Sequence, residues 1–144
     1  VRRDRAMKLG LLMMTLMISA ALADQPSTWA PATLAKENTL EFLTVGPEEG
    51  EHWSKVWVVE IGGQLYLRLG TRSAARFEKN TTAPYVKVRI AGIEFDHVRA
   101  ESAPEKAEQV AAAMAAKYWG DLLMRFASHP LTIRLSAPEP PRGS

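Results

Sequence analysis

The sequence predicts a mainly β domain: a small, closed or nearly closed barrel of six strands with one late helix before the last strand. Three observations predict it. Two pairs of alternating apolar segments are joined by short turns, at Gly62-Gly63 and at Ala91-Gly92. The apolar period switches to helical spacing over Ala107 to Tyr118. It then reverts to alternation for a final segment, Leu131 to Leu135. Closure is expected because it removes the exposed edges that several short strands would otherwise present.

In chain order, the first element is an export signal over residues 1–23. Arg2, Arg3, Arg5 and Lys8 precede an apolar run from Leu9 to Leu22, interrupted only by Gly10, Thr15 and Ser19, and small residues stand at Ala21 and Ala23. Cleavage after Ala23 is expected, which places the protein in the periplasm or the medium. The competing reading, a membrane anchor through an uncleaved signal, asks a run of about 21 Å of helix to cross a core of about 30 Å. A helix buried in the domain would carry one apolar stripe, whereas this run is apolar all round. Met7-Lys8 would open a compact signal of the same shape. Arg2-Arg3 resembles a twin-arginine signal, except that Arg5 stands where an apolar residue is expected.

The formal charge of +2 belongs to that leader, because the residues from Asp24 onward hold 14 basic and 15 acidic side chains. No basic stripe for nucleic acid follows from such a balance. With 144 residues and 47% apolar side chains the chain makes one domain with a real core. It has no cysteine, so export brings no disulfides and packing must supply stability.

Residues 24–39 read as a lead-in arm or short helix, and the barrel domain occupies residues 40–137. Leu40, Phe42 and Val45 mark the first strand, closed by Gly46-Pro47, and Glu48 to His52 form a polar loop. Trp53 to Ile61 reads as one strong strand; its run Val56-Trp57-Val58-Val59 is apolar on both faces and so predicts a central position. Gly62-Gly63 turns the chain, since both residues take positive φ without a Cβ clash. In the returning strand Leu65, Leu67 and Leu69 face one way and Gln64, Tyr66 and Arg68 the other. A connector from Thr71 to Thr82 carries a helical turn around Ser73 to Lys79. Val86, Val88 and Ile90 alternate in the next strand, and Ile93 to Ala100 returns. Ser102 with Glu105 three residues on predicts a capping box for the helix, whose stripe is Ala107, Val110, Ala111, Met114 and Tyr118. Gly120 ends or kinks it, a turn is expected from Asp121 to Phe126, and residues 138–144 form a Pro-rich, disordered tail.

The usual catalytic signatures are missing. His52, His97 and His129 have no metal-ligand spacing, no Gly-x-Ser-x-Gly elbow occurs, and Gly62-Gly63 lies between strands instead of opening a helix. Asn80-Thr81-Thr82 matches a glycosylation acceptor but reads as connector. Trp53, Trp57 and Tyr66 are candidates to stack on a planar ring, against the commoner role of barrel aromatics as core.

Val56 to Arg68, reading Val-Trp-Val-Val-Glu-Ile-Gly-Gly-Gln-Leu-Tyr-Leu-Arg, resembles the central hairpin of an uncharacterised family within the FMN-binding split-barrel superfamily. That superfamily also holds pyridoxamine-phosphate-oxidase-like and deazaflavin-dependent nitroreductase-like proteins. Phe77, Asn80, Pro84, Val86, Val88 and Gly92 continue the likeness, as do the Ala-x-x-x-Lys-Tyr of Ala113 to Tyr118 and the closing strand Leu131 to Leu135. The resemblance spans roughly Leu40 to Ala137. It implies a six-stranded split barrel, a homodimer, and a flavin (FMN) or deazaflavin cofactor whose phosphate meets Arg68, Thr71, Arg72, Ser73 and Lys87. Guanidinium forks and hydroxyls converging on a phosphate make chemical sense. One departure is plain: the Gly-Arg-x-Ser-Gly type segment of the deazaflavin-dependent relatives is replaced by Glu48-Glu49-Gly50-Glu51.

Two functions follow. In one the protein is an oxidoreductase whose cofactor carries the redox chemistry, so that no catalytic side chain is required. In the other it is a non-enzymatic exported ligand-binding or interaction module that has lost the cofactor. Export of an unfolded chain to a compartment poor in free flavin favours the second.

Overall fold

The computed structural model describes residues 28–118 and 131–140. The expected signal, Gly120, the turn over Asp121 to Phe126, His129 and the last four residues lie outside them. Helix α1 (Pro31–Leu34) precedes strands β1 (Thr39–Gly46), β2 (Gly50–Trp57), β3 (Val59–Ile61) and β4 (Gln64–Leu69). Helix α2 (Thr71–Glu78), β5 (Tyr85–Ile90) and β6 (Ile93–Ser102) follow, then a 3-10 turn (Pro104–Lys106), α3 (Ala107–Lys117) and β7 (Leu131–Leu135). Mainly β architecture is as expected. No helix among the described residues is long and apolar enough to cross a membrane.

The seven strands form one sheet in the order β2-β1-β5-β6-β7-β4-β3, with every pairing antiparallel. Strand β6 is shared: its first part pairs with β5 and its last residues, Ala100 to Ser102, pair with β7. The two outermost strands, β2 and β3, are successive in the chain, so the sheet curls until its ends meet at Val58.

This corrects the single strand expected over Trp53 to Ile61, and it raises the strand count from six to seven. The apolar run is not central either, since β2 and β3 are the two edges. Its two-faced character has another cause. Val58 packs in the barrel interior with Val56 against it, whereas Val59 belongs to a second cluster with Trp57 against it. Neighbouring residues thus serve two cores.

Inside the curl lie Leu40, Phe42, Val58, Leu65, Leu67, Leu69, Val86, Val88, Ile90, Phe95, Val98, Ile133 and Leu135. The second cluster, under α3, joins Val59, Tyr66, Ala103, Val110, Met114 and Tyr118. Strand β4 therefore alternates as predicted, yet both faces are covered, because Tyr66 is buried by the helix as fully as its leucine neighbours are by the barrel. The turns at Gly62-Gly63 and Ala91-Gly92 have positive φ at both residues (59° and 83°, 54° and 74°), the geometry whose twist suits a two-residue hairpin.

The capping box does not form. Ser102 ends β6, the 3-10 turn intervenes and α3 starts at Ala107, with no side-chain cap. Glu105 instead accepts a hydrogen bond from Arg134 on β7; pairing of Ser102 with Ile133 has drawn the would-be cap into the sheet. In the stretch expected to be a disordered tail, Glu139 is tied down. Its N–H donates to the His97 carbonyl (3.0 Å), and its carboxylate accepts from Arg99 Nε (2.8 Å) and Tyr85 Oη (2.6 Å).

Candidate functional site

Strand β4 ends at Leu69, fully buried, and α2 buries Ala74, with Phe77 packed against the interior. The chain between these anchors must surface. Gly70 bridges them in an extended conformation (φ −72°, ψ 178°) and no side chain caps the helix; its first turn contains no carboxylate. Thr71 and Arg72 are exposed there and Ser73 is half-buried. Uncapped first-turn amides, the positive end of the helix dipole, two hydroxyls and a guanidinium suit an anion.

Of the five residues predicted for phosphate, the fold brings Thr71, Arg72 and Ser73 onto one turn. Arg68 lies one step back on β4, opposite Thr132 of β7. It alternates with Leu67 and Leu69, so it leaves the sheet on the face that carries Tyr66 and α3.

Lys87 does not join them. Its neighbours Val86 and Val88 point into the interior that Ala74 and Phe77 close, so Lys87 faces outward, and β6 and β7 separate β5 from β4. There its ammonium stands 3.4 Å from Glu94 and 3.4 Å from Asp96. The hydrogen bond it donates to Glu94 and the charge of Asp96 push its pKa above the ordinary lysine value. The carboxylates come together because β6 bulges: Val86 pairs with Val98 but Val88 with Phe95, leaving Asp96 and His97 opposite Lys87 alone. His97 takes positive φ (56°) in this bulge and stacks on Tyr85 at 4.2 Å.

The aromatic candidates are separately engaged. Trp53 lies under the Arg89 guanidinium at 3.7 Å, Trp57 stacks on Tyr118 at 4.4 Å, and Tyr66 is 1% exposed, its hydroxyl accepting from Arg134 Nε. The described residues thus fit the phosphate end of a flavin-type cofactor, while these aromatics do not assemble around one ring. Among the described residues no cluster of His, Asp and Glu is placed to hold a metal.

The acidic loop is partly neutralised. Arg76, one helical turn beyond Arg72, donates through Nε to both carboxylate oxygens of Glu49 (3.1 and 3.2 Å), and His52 Nδ1 lies 3.5 Å from the same group. A cleft of about 400 Å³ opens between this loop and α2, lined by Thr44, Gly46, Pro47, Glu48, Glu49, Ala75, Arg76 and Lys79. Sequence reasoning missed it, although Arg72, Arg76 and Lys79 recur at i, i+4 and i+7, which marks one helix face.

Asn80 secures this end of α2. Its Oδ1 accepts from Val45 N–H (2.9 Å) and the Thr82 hydroxyl (3.0 Å), and its Nδ2 donates to the Tyr85 carbonyl (3.1 Å). At 7% exposure, with both amide atoms occupied, Asn80 is a structural pin and not an accessible glycan acceptor.

No protein-family model matches the sequence, and no curated protein matches it. Solved structures do. An F420-H2 dependent reductase superposes with a TM-score of 0.53 at 13% identity, covering 69% of this chain and 95% of the other. The fold is the split barrel that these solved structures share. The heme storage protein HutZ of Vibrio cholerae shares the split barrel with a TM-score of 0.57 at 20% identity, over 76% of this chain and 88% of its own. An FAD-binding protein of Mesorhizobium loti does so with a TM-score of 0.51 at 12% identity, over 76% and 88%. At such identities the split barrel itself is what these proteins have in common.

Proposed function

We propose that this chain is an exported split-barrel protein that binds a flavin or deazaflavin cofactor by its phosphate at the first turn of α2, and that it does so as a homodimer. One observation carries the reading: Thr71, Arg72 and Ser73 share a turn whose amides no side chain caps and which holds no carboxylate. Two proteins with the same fold are named for F420-H2 and for FAD, which supports a cofactor of this class. Such a cofactor brings the redox chemistry with it. The residues of this chain hold and orient the phosphate, Arg72 through its guanidinium and Thr71 and Ser73 through hydroxyls.

A second reading, a ligand-binding or interaction module without the cofactor, is favoured by the engagement of Trp57 with Tyr118 and of Trp53 with Arg89. The absorbance of the purified protein in the flavin and deazaflavin bands, followed by titration with each cofactor, separates the two. Saturable binding of one cofactor supports the first reading. A colourless protein that takes up neither leaves the second. Light scattering of the same sample tests the dimer.

A further inference from the structure

The outward side of the sheet is covered over only part of its width. Helix α3 packs on Val59 of β3 and Tyr66 of β4, while α1 and α2 close the barrel interior through Leu34, Ala74 and Phe77. Among the described residues no helix lies on the outward side of β2, β1, β5 and β6. Leu43 and Trp53 are cross-strand partners on this bare face and belong to neither core cluster, and the Arg89 guanidinium lies over Trp53. Tryptophan and arginine are residue types on which interface energy concentrates.

One row across the face carries an ordered charge pattern. In the register of β2, β1, β5 and β6, Lys55 stands opposite Glu41, Glu41 opposite Arg89, and Arg89 opposite Glu94. Their chain neighbours Phe42, Val56, Val88, Ile90 and Phe95 pack toward the interior, so all four charged side chains leave the sheet outward. They alternate plus, minus, plus, minus, and together line one depression of about 360 Å³. Arg89 meets Glu94 at 3.3 Å, whereas neither Lys55 nor Glu41 has an ion pair among the described residues.

Such a row is antisymmetric about its centre. A two-fold axis running along the strands, between β1 and β5, lays β2 of one copy over β6 of the other and β1 over β5. Lys55 then faces Glu94 of the partner subunit and Glu41 faces Arg89 of the partner subunit, and two-fold symmetry makes each contact twice. An axis across the strands would set like charge on like, which is costly at an interface. A polyanion would meet both carboxylates, so the row suits a surface that carries the same alternation. We propose that this bare face is where two copies of the chain meet, related by the axis along the strands; the inference rests on the homodimer reading above and adds the surface that forms it.

The test is sedimentation of the purified protein over a dilution series. Wild type is expected to dimerise. Lys55→Glu and Glu94→Lys each set two pairs of like charges against one another, and each should weaken the dimer by about tenfold or more. Mixed in equal amounts, the two variants present opposite charges at both outer contacts and should recover a dimer of near wild-type affinity. Lys55 is exposed, so the circular dichroism of Lys55→Glu should match wild type, which separates a lost contact from a lost fold. A wild-type dimer that both variants form as tightly, or variants that stay monomeric when mixed, overturns this face and leaves the dimer reading in place. A monomeric wild type overturns both.

Discussion

Lys117 Nζ lies 2.8 Å from the carbonyl oxygen of Val58, the residue at which β2 gives way to β3. The same ammonium donates to the carbonyls of Ala35 and Glu37 at 2.7 Å each, so all three of its protons are used. Tyr118, next in the chain, accepts the Val58 N–H at 3.2 Å, and its own proton serves the Val58 or the Asn38 carbonyl. Both backbone groups of Val58 are thereby satisfied by the end of α3, where the sheet ladder on either side stops. Burial pulls the Lys117 pKa below the ordinary lysine value, the charge of Glu37 opposing it.

Lys117→Met keeps the length of the stem and removes the donors, leaving carbonyls short of partners at the meeting point of the sheet ends. Chemical denaturation should show a loss of about 1–3 kcal/mol. Tyr118→Phe should cost a similar amount, since it strands the buried Val58 N–H. Stability unchanged in both variants would show that the junction closes without them.

Ser54 makes the opposite case. It sits on β2 across from Phe42, is 6% exposed, and its Oγ is buried with no hydrogen-bond partner. Removing an unsatisfied hydroxyl relieves its desolvation, so Ser54→Ala should hold or raise the denaturation midpoint, by up to about 1 kcal/mol. A clear loss would mean that the hydroxyl has a partner.

The hairpins, the alternation of β4 and the stripe of Val110, Met114 and Tyr118 were legible in the sequence, because each rests on periodicity within one element. The break at Val58 was not. An apolar run looks the same whether one strand is buried on both faces or two short strands turn toward different cores. The placement of Lys87 was illegible for a related reason. Its outward direction follows from alternation, but its distance from Arg72 depends on strand order, which sequence does not state. The bulge that gathers Glu94 and Asp96 onto Lys87 is likewise a register effect. Thr71, Arg72 and Ser73 came together because they are neighbours on one turn.

The strap from Ser136 to Glu139 should respond to acid. Hydrogen bonds from Arg99 first, and then from Tyr85, lower the Glu139 pKa from the ordinary 4.5. A carboxylate whose pKa is lower in the folded state stabilises that state above its unfolded value, and the contribution is lost as pH falls through the folded value. The Ser136 and Glu139 amides, bonded to Arg99 and His97 carbonyls, should therefore stay protected at pH 5 and above. They should lose protection only below the ordinary carboxylate range, with Glu139→Gln releasing the strap at neutral pH. Protection independent of pH and of that substitution would contradict this.

Export is tested at the N-terminus. Expression of the full chain in a bacterial host should yield a mature protein beginning at Asp24, read by N-terminal sequencing. Ala23→Arg should block processing, since the site requires small residues. A retained leader in the exported fraction would favour the anchor.

The most direct measurement compares two arginine- and lysine-lacking variants in one cofactor titration. Arg72→Ala should weaken binding of FMN or the deazaflavin by about 10- to 100-fold, the range for a charge-assisted hydrogen bond to phosphate. Lys87→Ala, on the outward face with its own carboxylates, should leave the affinity unchanged. Equal affinity in wild type and Arg72→Ala, or a loss confined to Lys87→Ala, would contradict placement of the phosphate on the first turn of α2.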